Sequence, residues 1–260
     1  MGLIFKEWII GRLIRKNNWR DLEMSAIAII TARGGSKRIP KKNIKEFCGK
    51  PIIAYSIEAA LRSDIFDEVM VSTDSEEIAE VARRYGASVP FMRSAEMSND
   101  FATTEDVIKE VIDEYAQIGR SFDDFCCLYP TAPFVTSQKL KSAYEDMKKK
   151  EADSVISVVK YDFPPQRAFV IRNARVAYQY PEYKDARSQD LEPIYHDCGQ
   201  FSFCKTDVFL NENMIIVENC IPFLLQMEEV QDIDTESDWS LAEMKYVKMV
   251  ERLSGLEDNN

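Results

Sequence analysis

The feature that most constrains the fold is an alternation that begins at Ala26. Short apolar runs alternate with segments whose apolar residues recur at helical spacing. Ala26–Thr31, Glu68–Ser72 and residues 125–129 and 154–159 read as buried strands, with a further strand at residues 88–91. Residues 51–61, 75–85, 103–116 and Ser137–Lys149 read as helices. Pro51 is expected in a first turn, Ser75 as an N-cap and Gly86 as a C-terminal stop. Strands spaced by helices of this length form βαβ units. The expectation is an α/β domain with a mostly parallel sheet and helices on both faces.

The regularity breaks after Lys160. Residues 161–195 hold Pro164, Pro165, Pro181 and Pro193 and five tyrosines, with a hairpin expected about Asn173. The stretch at about 161–198 reads as an inserted arm. Strand character returns at residues 200–204 and 214–217, and residues 235–253 form a closing helix capped by Thr235. One domain over residues 24–253 is expected, with a short tail at 254–260. Residues 1–23 read differently. Their apolar residues are broken by Lys6, Glu7 and Arg12, which excludes the core of a signal peptide. With Met24 directly before the first strand, they are expected to be an upstream extension without membrane contact.

Directly after the first strand stands Ala32-Arg33-Gly34-Gly35-Ser36-Lys37-Arg38-Ile39-Pro40-Lys41-Lys42-Asn43. Two glycines allow backbone N–H groups to approach an anion. Arg33, Lys37, Arg38, Lys41, Lys42 and Lys45 concentrate positive charge at the strand end, where parallel sheets bind ligands. The loop is neither a Walker A nor a G-x-G-x-x-G motif. A solvated basic turn and a phosphate cradle both fit its composition.

Composition matters here because it makes that cluster local. Asp and Glu number 44 against 33 Lys and Arg, a net charge of −11, so a general nucleic-acid-binding face is excluded. The six cysteines show no C-x-x-C pair and no zinc-ligand spacing, the pattern of free thiols in a reducing cytoplasm. No run is long enough to span a membrane.

A second candidate element is Gln231-Asp232-Ile233-Asp234-Thr235. In an extended segment, side chains two apart share a face. Asp232 and Asp234 can therefore converge on one hard cation completed by phosphate oxygens and water, the donor set Mg²⁺ accepts. The plainer alternative makes Asp234 a helix cap and Asp232 a surface acid.

Taken together, ARGGSKRIPKKNIKEFCGKPIIAYSIEAA, VSTDSEEIAEVARRYGA, LYPTAP, RSQDL and QDIDTESD resemble the acylneuraminate cytidylyltransferase (CMP-sialic acid synthetase) family, from about Ala26 to Lys248. Gln189-Asp190-Leu191 followed by Tyr195-His196-Asp197-x-Gly199 looks most like its pseudaminic acid branch. The resemblance implies a Rossmann-like nucleotidyltransferase fold with an inserted dimerisation arm. It also implies a cytoplasmic homodimer using CTP, Mg²⁺ and a nonulosonic acid, with no nucleic acid partner. Carried over by position, Arg33, Gly34, Gly35, Ser36 and Lys42 would hold the triphosphate and Asn43 would place the nucleotide. Arg93 and Thr104 would meet the cytosine edge, and Asp232 and Asp234 the metal. Arg33, Lys42 and the two aspartates would carry the catalysis. Tyr129, Arg167, Arg187, Gln189, His196 and Asp197 would face the sugar acid, Arg187 from the neighbouring subunit's arm. The sialic-acid members tend to carry Gln at Tyr129 and Asn at Cys198, so both differences are expected to make the sugar pocket less polar. The residue types single out no general base.

Overall fold

The computed structural model describes residues 25–257. The expectations for residues 1–23, for Met24 as a start and for the last residues of the tail lie outside them. Six strands form the central sheet: β1 (Ala26–Thr31), β2 (Glu68–Ser72), β3 (Asp124–Leu128), β4 (Ser154–Lys160), β5 (Tyr195–Lys205) and β6 (Cys220–Leu225). Their order is β6-β4-β5-β3-β1-β2. β1 pairs in parallel with β2 and β3, and β4 in parallel with β6. β5 runs antiparallel between β3 and β4, the one reversed strand of the sheet.

β1 is apolar at nearly every position because both its faces are covered. Ala26, Ala28 and Ile30 lie in a core layer with residues of α1 (Ile53–Ser63), α2 (Glu76–Arg84) and α4 (Ser137–Lys149). Ile27 and Ile29, one residue out of phase, lie in the opposite layer with Ile108, Val111 and Tyr115 of α3 (Thr104–Gln117) and Phe209 of α5 (Thr206–Glu212). The two-residue side-chain period thus splits one hydrophobic run between two cores. A third cluster seats the final helix α6 (Glu236–Glu257) through Trp239, Ala242 and Met249 against Phe47, Tyr55 and Phe134.

Local signals set most of the boundaries. The Ser75 side chain accepts from the Ile78 N–H. Thr103 and Asp106 form a reciprocal capping box on α3. Three expectations need correction. Residues 88–91 make a single bridge at Ser88 to Met70, because Pro90 has no N–H to continue a ladder. Residues 214–217 are not a strand: Ile215 is buried while Met214 and Ile216 are 47% and 59% exposed, an alternation that imitates one. The strand is β6, whose Pro222 is tolerated because β6 is an edge. Pro51 lies outside α1. It pairs with Glu46 in a small ribbon that turns through Cys48 and Gly49, both at positive φ.

Between β4 and β5 the chain leaves the sheet as an arm containing a separate hairpin, Phe169–Arg172 with Arg175–Tyr178. No helix among the described residues is long and apolar enough to cross a membrane.

Candidate active site

The basic loop begins where β1 ends. Ala32 N–H still donates to Ser72 O at 2.9 Å, extending the ladder by one residue. Gly34 then passes against the start of α2. Its N–H donates to Asp74 Oδ1 at 2.7 Å, and a Cβ there would stand 3.1 Å from Ser75 Cβ. Gly35 has open space around it. The buried Asn43 folds the loop back on itself, its Nδ2 donating to Arg33 O at 2.9 Å.

These contacts shape a cavity of about 520 Å³ beyond the carboxyl ends of β1 and β3. Arg33, Ser36, Lys42 and Asn43 line it, together with Lys37 and Arg38. Arg93, Thr104, Tyr129 and Asp234 also line it. The structure therefore gathers residues from five separate stretches of chain into one concavity.

Each loop cation faces an acid. Arg33 and Lys37 share Asp100. Arg38 and Lys42 share Asp234, at 2.9 and 3.7 Å. Lys41 meets Glu77, and Lys45 meets Glu236. Pairs this exposed contribute little individually, so the loop's cations remain available to a polyanion at small cost. Lys42 is also fixed by donating to Ile233 O at 2.7 Å.

Arg93 is of a different kind. It is buried, with Nε donating to Ser72 Oγ at 2.9 Å and Nη2 to Ser72 O at 2.6 Å. Burial lowers its pKa to about 10, opposed by Asp74 and Glu110, so it remains a cation at neutral pH. It offers a rigid guanidinium fork at the cavity wall.

Thr104 and Tyr129 also border a second cavity of about 210 Å³, lined by Glu105, Ile156, Asp197, Ile215 and Ile216. Burial raises the Tyr129 phenol pKa well above its usual range. Asp197 Oδ1 accepts from Gly199 N–H at 2.9 Å. Cys198, one residue on, points away. It is buried with Val159, Leu225 and Val230 and borders neither cavity, which corrects its expected place on the sugar side.

Several candidates stand apart from the main cavity. Gly34 and Gly35 support the loop without lining the cavity. Asp232 is exposed and outside the lining, whereas Asp234, beyond the buried Ile233, lines the cavity. Arg167 Nη1 donates to Ser188 Oγ at 3.2 Å within the arm, and Arg187 pairs with Asp190 at 2.7 Å. Gln189 lines a pocket inside the arm with Tyr161 and Pro164. His196 packs on the Tyr161 ring at 4.5 Å, and its Nδ1 lies 2.8 Å from Asp197 O.

Asp100, Glu105, Ile215 and Ile216 were not foreseen from sequence. Asp100 follows a short polar turn, and the isoleucines read as a strand, so neither carried a local sign of a cavity. No group of three or more His, Cys, Asp or Glu side chains able to hold a metal occurs among the described residues. A carboxylate of the Asp234 type still suits a hard cation that takes its other ligands from phosphate and water.

A strand-end cavity lined by a basic loop, a buried arginine and the carboxylates Asp100 and Asp234 has the make-up of a nucleotide site in an α/β enzyme. A family model described as "Cytidylyltransferase" matches residues 27–252, and the chain belongs to that family of nucleotidyltransferases. It is 43% identical over 225 residues to the pseudaminic acid cytidylyltransferase of Campylobacter jejuni, covering 86% of this chain and 97% of that protein. It is 38% identical to the CMP-N,N'-diacetyllegionaminic acid synthase of Legionella pneumophila, covering 85% and 95%. It is 32% identical to the N-acylneuraminate cytidylyltransferase of Streptococcus agalactiae, covering 83% and 52%. Among solved structures, a CMP:2-keto-3-deoxy-manno-octonic acid synthetase complexed with CTP superposes with a TM-score of 0.64 at 18% identity, covering 87% of this chain and 99% of that one. At that identity the likeness is one of fold.

Proposed function

We propose that the chain joins CTP to pseudaminic acid, releasing pyrophosphate and the CMP-sugar. The observation that carries this reading is the 43% identity over 97% of the Campylobacter jejuni enzyme, above the 38% and 32% to the legionaminic and N-acylneuraminate enzymes. The sugar's anomeric hydroxyl oxygen bonds to the α-phosphorus as the bond to the bridging oxygen of the β-phosphate breaks. That bond's electron pair leaves with pyrophosphate, and the hydroxyl proton passes to solvent or pyrophosphate.

The protein's part is positioning and charge neutralisation. Arg33, Ser36 and Lys42 receive the triphosphate, with Gly34 and Gly35 shaping the loop around it. Asn43, Arg93 and Thr104 orient the nucleoside. Asp234, assisted by Asp232, would hold Mg²⁺ against the phosphates. Bound there, the ion would supply Lewis-acid neutralisation of the α-phosphate and the departing pyrophosphate.

The sugar acid extends toward the second cavity, past Tyr129, to Asp197 and the isoleucines. Ile156, Ile215 and Ile216 offer a terminal deoxy carbon an apolar wall, and Glu105 and Asp197 offer acceptors for the N–H of a second acylamino group. Arg167, Arg187 and Gln189 approach the sugar from the arm of a homodimer partner, and His196 approaches it from β5 beside Asp197. Phe169, Ile171 and Val176 support that role, being 56%, 76% and 65% exposed on one hairpin. A cytoplasmic location agrees with six unpaired thiols.

The test is pyrophosphate release from CTP with pseudaminic, N,N'-diacetyllegionaminic and N-acetylneuraminic acids. The highest kcat/KM is expected for pseudaminic acid. An equal or higher value for N-acetylneuraminic acid overturns the sugar assignment, and no release with any of the three overturns the reaction.

A further inference from the structure

Asp100 belongs to none of the motifs above, yet it touches both cations of the first half of the loop. Its Oδ1 accepts from Arg33 Nη1 at 3.0 Å, and its Oδ2 meets Lys37 Nζ. Arg33 Nη1 also donates to Asn99 O at 3.2 Å. Among the described residues these are the guanidinium's hydrogen-bond partners, so Nε–H and both Nη2–H remain for a ligand. All four residues line the main cavity. One carboxylate against two cations leaves the trio net positive.

The backbone that presents Asp100 is itself built to stay in place. Asn99 Oδ1 accepts from Phe101 N–H at 2.7 Å and Ala102 N–H at 3.0 Å, and Asn99 Nδ2 donates to Glu96 O. On one side Ser94 N–H donates to Glu110 Oε1 of α3 at 3.1 Å, and Ser98 Oγ donates to Ser94 O. On the other side the Thr103–Asp106 capping box begins α3. Residues 94–102 are therefore tied to α3 at both ends.

We propose that Asp100 is a positioning residue that aims Arg33 and Lys37 at the nucleotide's phosphates from the fixed platform of residues 94–102. This rests on the loop receiving the triphosphate. Long cationic side chains lose rotamer freedom when they grip a ligand. Fixing one guanidinium edge beforehand removes part of that loss from the binding step, and keeps the remaining donors in one geometry through the transition state.

The test is Asp100→Asn, which keeps the shape and removes the charge, with Asp100→Ser as a second variant. CTP KM is expected to rise about tenfold in both, with unchanged sugar KM. In an Arg33→Ala background the same change should cost about threefold or less, because the residue acts largely through Arg33. CTP binding as tight as wild type or tighter overturns the proposal, since Asp100 is then idle or competes with the phosphates. An undiminished loss in the Arg33→Ala background also overturns it. Wild-type turnover separates the two levels: a wild-type chain that releases pyrophosphate from CTP keeps the proposed reaction standing whatever Asp100 does.

Discussion

Lys42 and Asp234 meet across the main cavity, Nζ to Oδ1 at 3.7 Å, while the same ammonium donates to Ile233 O at 2.7 Å. The loop after the first strand and the junction before the last helix are thereby locked together at the site. A cation held by a backbone carbonyl stays in place when its carboxylate partner turns to a metal or a phosphate arrives. Lys42→Ala should weaken CTP binding and lower kcat by about 100-fold or more, because its charge meets oxygens that become more negative in the transition state. Steady-state kinetics with varied CTP check this, and wild-type kcat would remove Lys42 from the machinery.

Asp234→Ala and Asp232→Ala should both lose turnover while keeping the fold, the first by more, because Asp234 lines the cavity and Asp232 does not. A Mg²⁺ titration of each variant is the measurement. Near wild-type rates for both across the titration would end the metal assignment.

Arg93→Met should cost stability as well as activity. It strips two donors from Ser72 Oγ and O in a buried setting, a loss of about 1–3 kcal/mol in urea unfolding. Nucleotide binding should weaken in parallel. A variant of wild-type stability with unaltered CTP affinity would show that the fork is dispensable.

Tyr129→Gln should narrow the preference for pseudaminic over N-acetylneuraminic acid, by about tenfold in the ratio of kcat/KM, by adding an amide where both cavities meet. An unchanged ratio would place discrimination elsewhere, with Ile215 and Ile216 the next residues to vary.

Acid stability follows from surface carboxylates. Lys37 and then Arg33 hold the Asp100 carboxyl below the usual carboxylate range, and the Thr103 N–H, then its hydroxyl, do the same for Asp106. A group whose folded pKa is depressed stabilises the fold above its unfolded value and loses that contribution as pH falls through the folded one. The melting temperature should therefore hold above about pH 5 and fall progressively below pH 4. In Asp106→Asn that fall should be shallower, because the carboxylate that the Thr103 N–H and hydroxyl hold is gone. An identical acid profile in the variant would count against the capping box as its source.

Much of this protein was legible in order along the chain. β1 and β2 coincide with their expected limits, as does α4, because a run buried on both faces or a capped amphipathic helix is specified by neighbouring residues. The basic loop was placed at a strand end for the same local reason. The errors fall where tertiary contact overrides local pattern. Residues 214–217 alternate like a strand yet fold over the second cavity, and β6 is concealed by a proline that only an edge tolerates.

The sequence by itself determined the α/β alternation, the phosphate-like character of the loop and the pairing of acidic residues before the last helix, since each is a matter of spacing within a few residues. Tertiary structure alone decided which members of those motifs share a cavity. Asp234 lines the main cavity while Asp232, two residues before it, is left exposed outside, and one step along β5 sends Asp197 to the second cavity and Cys198 into the core. Asp100 reaches Arg33 only because α3 and its capping box set residues 94–102 beside the end of β1. Spacing fixes which residues can share a face, but only the packing of distant elements fixes what that face meets.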